Sequence, residues 1–343
     1  MVLFVATRSA LSLSESDDSE PSLYCAGIVN YGSYADLRLC LESVLEQTIP
    51  PARVVVVDAD SDDTELTQLR MDFASVYFRA IDNHGYAGGA NQLLQFCLEE
   101  VPESEFCLLL NPDVVLDSNF VFALTTSMRS RPDVALASGK LLRPGRELID
   151  SAGIRLPLNR RPRDRGSEEV DVGQFDQAEY VFGVTGAAMM IRCSALSDLE
   201  LSGEIFDEDF FLYYEDTDLS WRCRQLGWRV YFEPRAMAIH KRGWQRNARF
   251  SVPVEVRRHS FKNHYLQLIK NESGLSFIGL LPIFIFWEIV RLGFSILKDR
   301  KILSGYVSAY HLKGRAFHKR HLLRLKINQL KRKRIEVDSS SHR

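Results

Sequence analysis

A chain of 343 residues that is 45% hydrophobic and 26% charged can bury one large α/β core with an appendage, or two ordinary domains, so it is globular with ample core. Its six cysteines (Cys25, Cys40, Cys97, Cys107, Cys193, Cys223) form no CxxC pair and no His/Cys ligand spacing, which disfavours a disulfide scaffold or a thiolate metal site and suits reduced core thiols. The net charge of −2 hides an asymmetry: residues 311–343 carry 11 Lys/Arg against Glu336 and Asp338, which suggests an anionic partner surface, either phospholipid or nucleic acid, or else a solvated tail.

Residues 1 to about 20 lack the positive flank and uninterrupted apolar core of a signal peptide and read as a loose tail. Leu23 to Val29 reads as a strand, and Ser33 with Asp36 starts a helix whose Leu37, Leu41, Val44 and Leu45 share a face. Pro50 and Pro51 stop it. Four consecutive valines after Arg53 predict a strand covered on both faces, ending in Asp58-Ala59-Asp60. Val76 to Ala80 is a third strand, followed by a glycine-rich loop, NHGYAGGANQ (83–92), and a helix bearing Leu93, Leu94, Cys97 and Leu98. Phe106 to Leu110 is a fourth strand, broken at Asn111-Pro112-Asp113. This alternation predicts a parallel sheet with crossover helices, whose ligands bind beyond the carboxyl ends of the strands. Asp58, Gly85 to Asn91 and Asp113 are therefore expected to converge.

From Val134 to about Tyr180 short strands and a basic loop (159–166) predict an α+β second half packed on the same sheet. Val181 to Arg192 reads as one strand and Asp218 to Leu226 as a short helix closed by Gly227. Val230 to Phe232 and Ala236 to Ile239 are the last strands, ending at His240. Leu275 to Trp287 is a run of thirteen uncharged residues. At 1.5 Å per residue it reaches ~20 Å against a ~30 Å hydrocarbon core, and Pro282 interrupts it. It reads as a monotopic or re-entrant helix with basic flanks, or as a helix packed on the preceding α/β domain. Glu288 and Arg291 are spaced to pair on it.

Several residues are candidates for chemistry, each with a plainer alternative. Pro112 ends the sheet ladder, so Asp113 leaves at the carboxyl edge, where a carboxylate can bind a divalent cation or merely start a turn. In FFLYYEDTDLSWRCRQLGW (210–228), Glu215, Asp216 and Asp218 crowd beside aromatic surface, which raises a carboxyl toward general-base range; the alternative is helix capping. His240 ends an apolar strand and is either structural or a metal ligand. The glycine loop could seat a diphosphate at a helix N-terminus, but Gly85, Gly88 and Gly89 are not GxGxxG and follow the third strand, which disfavours a dehydrogenase.

In order along the chain, VNYGSYADLRLCLESVLEQ, VVVVDADSDD, NHGYAGGANQ, LLLNPDVVL, GVTGAAMMIR, FFLYYEDTDLSWRCRQLGWRV and AIH resemble family 2 glycosyltransferases of the GT-A fold, particularly rhamnosyltransferase-like members. The resemblance spans roughly residues 23–245. It implies an α/β, Rossmann-like catalytic domain over 21–250 with a mixed, mostly parallel sheet. Beyond the resemblance, the sequence itself reads as a helical, apolar and basic, membrane-associating region over 251–335 and a disordered tail over 336–343. By the same resemblance Asp58 recognises the nucleotide base, with Asn30 and Tyr31 adjacent and Asp60 within the match; Gly85 and Asn91 lie against the nucleotide sugar. Asn111 and Asp113 occupy the DxD positions, with Asn replacing the first Asp, so Mg²⁺ or Mn²⁺ rests on Asp113 and His240. Asp216 matches the general base of inverting members, with Glu215 second, while Asp218 supports the helix or the acceptor site.

The implied reaction is single displacement from a nucleotide-diphosphate sugar to a saccharide or lipid-linked acceptor in cell-surface glycan biosynthesis, at the cytoplasmic membrane face. Processive relatives carry QxxRW after this histidine; Arg242 to Arg246 (RGWQR) do not match, which favours a single addition, and Trp244 either lines the acceptor site or packs. A nucleotidyltransferase would need a basic phosphate loop after the first strand, which NYGSYAD lacks. A non-catalytic relative would have lost Asp216, Asp113 or His240. A nucleic-acid partner is disfavoured because the basic tail has few interleaved aromatics.

Overall fold

The computed structural model describes residues 24–60, 63–243 and 249–340, so the expected N-terminal tail and Trp244 lie outside the described residues. Its first part runs β1 (Tyr24–Asn30), α1 (Tyr34–Leu45), β2 (Arg53–Asp58), α2 (Asp63–Asp72), β3 (Val76–Ala80), α3 (Gly85–Glu100), β4 (Phe106–Leu110), β5 (Val114–Leu116) and α4 (Phe120–Arg129). Then follow β6 (Val134–Leu142), β7 (Ile149–Ser151), β8 (Ile154–Arg155), β9 (Arg163–Asp164), β10 (Glu179–Tyr180), β11 (Ala188–Arg192), α5 (Leu196–Leu199), α6 (Glu215–Gln225) and β12 (Arg229–His240). Three helices close the chain: α7 (Val254–Asn271), α8 (Gly274–Lys298) and α9 (Ser304–Ser340).

One mixed sheet holds ten strands in the order β10-β12-β6-β11-β4-β1-β2-β3, with β5 on β12 and β7 on β6. The β4-β1-β2-β3 half is parallel, as the crossover helices require. The four valines of β2 divide as expected for a strand covered on both faces: Val54 and Val56 join the core under α1, α2 and α4, whereas Val55 and Val57 join the core under α3 and α6. The cysteines are free thiols, and strand pairing brings the Cys107 and Cys193 sulfurs to 3.6 Å.

Four expectations are corrected. Most of the predicted glycine loop is the first part of α3, which begins at Gly85. Its glycines are demanded by close packing: a Cβ on Gly89 would lie 2.7 Å from Val29 Cγ1. Of Val181 to Arg192, only Ala188–Arg192 is continuous strand; residues 181–187 make a single bridge, Gly183 to Ile154, and otherwise turn across the start of α6. The two last strands are one, β12, with a register shift between Glu233 and Met237 that absorbs Pro234 without a ladder bond. The short helix starts three residues earlier, at Glu215.

The C-terminal helices are not a loose appendage. Lys270 of α7, with its side chain 1% exposed, contacts Asp207 at 2.6 Å and Asp218 at 2.7 Å. Lys319 of α9 reaches Asp207 at 2.5 Å and Asp209 at 3.0 Å. Arg315 pairs with Asp209, while Arg320 and Lys326 donate to the carbonyls of Ile269 and Ser197. Part of the basic tail's charge is therefore satisfied inside the molecule. The helix containing the uncharged run extends to 25 residues, with mean hydropathy 1.9 over its most apolar window and 6% of that window buried, so by length and composition alone α8 could cross a membrane. Glu288 and Arg291 stand 3.9 Å apart on it, as their spacing predicted.

Candidate active site

The sheet's carboxyl edge gathers four groups. At the ends of β1 and β2, fully buried Asp58 accepts from Asn30 Nδ2 at 2.6 Å and from the Tyr34 hydroxyl at 3.0 Å. The parallel register that sets Asn30 beside Asp58 creates this cluster. Tyr31 stands 63% exposed at its rim, and Asp60 is exposed beside Gly32.

Second, Gly85 opens α3 at φ +70°, where a Cβ would lie 2.2 Å from the Phe211 carbonyl oxygen; only glycine admits this approach. The Ala87 N–H donates to the same carbonyl, and the Tyr86 hydroxyl donates to the Gly186 carbonyl at 2.7 Å. Asn91 is turned inward: its Oδ1 accepts from the Ile205 and Phe206 N–H groups and its Nδ2 donates to Phe206 O and Glu208, so it braces the 205–208 loop.

Third, the antiparallel pairing of β5 with β12 puts Val114 opposite His240, which brings the adjacent Asp113 carboxylate to 3.3 Å from His240 Nε2. Asn111 keeps its main chain in the ladder by donating to the Ala187 carbonyl. His240 Nδ1 meets Asp150 Oδ2 at 2.7 Å, and Asp150, fully buried, pairs with Arg143 at 2.9 Å and Arg242 at 3.5 Å. Burial disfavours the imidazolium, but the contacts to Asp113 and Asp150 outweigh it and lift His240 to about 9. Burial likewise pushes Asp113 up, and His240 more than reverses it, so Asp113 ends below its ordinary value.

Among the described residues, no three His, Cys, Asp or Glu side chains are gathered to hold a metal ion by themselves. Asp113 and His240 nonetheless fit as a two-ligand platform. A carboxylate at Nδ1 orients a metal-ligating histidine, and the other ligands of a divalent ion would be phosphate oxygens or water.

Fourth, Phe211, Tyr213 and Tyr214 all take positive φ (65°, 67°, 74°) and deliver the chain to α6 at Glu215. Such backbone is costly, and it clusters where side chains must be aimed. Asp216 Oδ2 accepts from the Gly186 N–H at 3.1 Å and Oδ1 from the Thr217 N–H at 2.6 Å. Burial raises its carboxyl above the ordinary value, and these N–H bonds restrain the rise. Glu215 is pushed well above its ordinary value by burial and by Asp216, and its Oε2 has no hydrogen-bond partner among the described residues. Asp218 is wholly buried among Arg222, Lys270 and Asn271, a structural role.

Asp216 lines a cleft of about 570 Å³ that also exposes Arg143, Arg242, Thr217 and Tyr213; Glu215 does not line it. The histidine group and the carboxylate group are neighbours: burial raises the Tyr213 hydroxyl, and Glu215 and Asp113 both add to the rise. Asp150, Arg143 and Arg242 were missed in the sequence. The available signal was Asp150 itself, an acid inside the apolar stretch LIDSA.

The pattern described as Glycosyl transferase family 2 matches residues 25–199. The low-salt glycan biosynthesis hexosyltransferase Agl10 of Haloferax volcanii is 26% identical over 278 residues, covering 78% of this chain and 83% of that protein. Among solved structures, S. aureus TarS residues 1–349 superposes with a TM-score of 0.53 at 13% identity, covering 90% of this chain and 88% of that one. GalNAc-T7, solved with UDP, GalNAc and Mn²⁺, gives 0.56 at 14% identity over 77% of this chain; the match spans about half (52%) of the GalNAc-T7 chain.

Proposed function

The chain belongs to glycosyl transferase family 2 and is a glycosyltransferase of the GT-A fold, and from that premise we propose an inverting, metal-dependent hexosyl transfer from a nucleotide-diphosphate sugar, one residue at a time. The observation that carries this reading is Asp216, aimed by two N–H bonds and lining an open cleft beside the Asp113–His240 pair.

In the proposed reaction Asp58, Asn30 and Tyr31 bind the nucleotide base and Asp60 its vicinity, and the start of α3 at Gly85 lies against the nucleotide. Asn91 acts from behind, fixing the 205–208 loop. Asp113 and His240, beside Asn111, would hold Mg²⁺ or Mn²⁺, which when bound offsets charge on the departing diphosphate. Asp216, its basicity raised by burial, takes the proton of the acceptor hydroxyl as that oxygen attacks the anomeric carbon and the bond to the diphosphate breaks. Glu215, with its carboxyl raised well above the ordinary value, is the poorer base at neutral pH and sits behind Asp216. Arg143 and Arg242 hold Asp150, which keeps His240 Nε2 turned toward Asp113.

The motif resemblance supports rhamnose as the sugar and a role in cell-surface glycan synthesis, with residues 21–250 as the catalytic unit. The exposed apolar helix α8 supports a peripheral position at the cytoplasmic face of a membrane.

Asp216→Asn is expected to lower transfer by about 10²- to 10⁴-fold while nucleotide-diphosphate binding, read by thermal shift with Mn²⁺, is retained. Turnover within about threefold of wild type would remove Asp216 from the base role.

A further inference from the structure

A second cavity, of about 320 Å³, opens between α7 and α8; Phe277, Phe284, Ile285 and Trp287 of α8 form its apolar wall. Arg161 lines both this cavity and the Asp216 cleft, so the two adjoin at this residue. Arg291, at 7% exposure, lies in the second cavity with Nε and Nη2 lacking any hydrogen-bond partner among the described residues. It rests instead over the rings of Phe261 and Tyr265, at 4.3 and 4.4 Å. Its nearest carboxylate, Glu288 at 3.9 Å, is engaged by the Tyr265 and Tyr306 hydroxyls.

Arg161 makes no ion pair with any described residue, and its charge acts on the buried Tyr214 hydroxyl, one residue before Glu215. Burial lowers its guanidinium below the ordinary value, and Arg291 and Arg249 lower it further. Two largely desolvated cations lining one cavity are costly unless an anion joins them. The chemistry therefore runs in sequence: a base in a polar cleft, the Arg161 and Arg291 side chains where the two cavities adjoin, then an aromatic and aliphatic wall.

We propose that Arg161 and Arg291 seat the phosphate of the acceptor, whose sugar hydroxyl reaches Asp216 through the larger cleft and whose long hydrocarbon chain lies against Phe284, Ile285 and Trp287 of α8. The acceptor class is thus a saccharide joined through phosphate to a lipid chain. A free sugar phosphate leaves the apolar wall without an occupant, and a bulk phospholipid has no sugar to present to Asp216. This assignment rests on the glycosyl-transfer reading and adds the acceptor's chemistry to it.

The test uses the full chain and three probes, farnesyl phosphate, farnesol and inorganic phosphate, titrated by tryptophan fluorescence, with Trp287 in the cavity wall as the reporter. Farnesyl phosphate is expected to bind at least about tenfold more tightly than either other probe, and Arg161→Gln to lose about tenfold or more of that affinity. Arg291→Gln should lose as much. Both variants should keep wild-type nucleotide-diphosphate binding with Mn²⁺, which also establishes that they are folded. Equal binding of farnesyl phosphate and farnesol, or unchanged affinity in folded Arg161→Gln, overturns the proposal. So does displacement of farnesyl phosphate by phosphatidylglycerol vesicles at equal phosphate, which would assign these arginines to bulk headgroups. A wild type that binds farnesyl phosphate but no nucleotide diphosphate would sink the transfer reading, and this inference with it.

Discussion

Lys270→Met tests whether the C-terminal helices are structurally one with the catalytic domain. The ammonium is 1% exposed and lies 2.6 Å from Asp207 and 2.7 Å from Asp218, the latter two residues beyond Asp216 on α6. Methionine nearly preserves the volume and deletes the charge. Removing one member of a buried pair costs about 3–5 kcal/mol, because the carboxylate left behind has neither water nor a partner. Here Asp207 retains Lys319 at 2.5 Å, and Asp218 retains Arg222 at 3.1 Å and Asn271 at 2.7 Å. That residual neutralisation sets the expectation at the lower end, about 3 kcal/mol. Urea denaturation followed by tryptophan fluorescence measures it. Limited proteolysis below the transition should cut first between α6 and α7, since the lost contact joins them. A cost below about 1 kcal/mol, the scale of an exposed pair, would refute the claim that α7 is docked through buried charge.

Two further predictions concern the pH response and the membrane. Because His240 is lifted from 6.5 to about 9 while buried, the folded, metal-free protein holds a proton across that range which the unfolded chain has released. The resulting stability is fully present below about pH 6.5 and is lost as pH rises through 9, a total of about 3 kcal/mol. In EDTA, the stability gap between wild type and His240→Asn should shrink by about that amount from about pH 6 to 9.5; a gap independent of pH refutes the Asp113–His240–Asp150 linkage. On α8, Ile278, Ile289 and Leu297 are 69%, 68% and 77% exposed, so changing all three to serine should move folding stability by about 0.5 kcal/mol per site at most. If these side chains enter a bilayer, each contributes about 1.5–3 kcal/mol, and the triple variant should lose cosedimentation with phospholipid vesicles by over about a hundredfold. Unchanged cosedimentation removes α8 from the membrane contact.

What could be read from the chain alone follows from how local each signal is. The valines of β2 announced a strand buried on both faces because period-two burial needs no partner to be recognised. His240 was expected beside Asp113 only through the family resemblance, because the β5–β12 register that brings them together has no local signature. The glycines of NHGYAGGANQ read as loop because propensity disfavours them in a helix; packing of α3 on β1 overrides that preference, since Val29 leaves no room for a Cβ at Gly89. Asp150 was missed because its meaning lies in a contact 90 residues away in sequence, across a β7–β6–β12 arrangement with no local signature.

The basic C-terminus shows the limit of counting charge. Lys319 and Lys331 are equal in any sum, yet Lys319 is buried against Asp207 and Asp209, whereas Lys331 is exposed. The same reasoning changes how the membrane reading must be tested. Deleting residues from 270 onward would remove Lys270, Asn271 and Lys319 from the core together with α8, so lost sedimentation could reflect lost folding. Substitutions confined to the exposed face of α8 leave those ion pairs in place. If they abolish vesicle binding while Lys270→Met does not, adhesion belongs to the apolar face of α8 and the charge of α7 and α9 belongs to the fold.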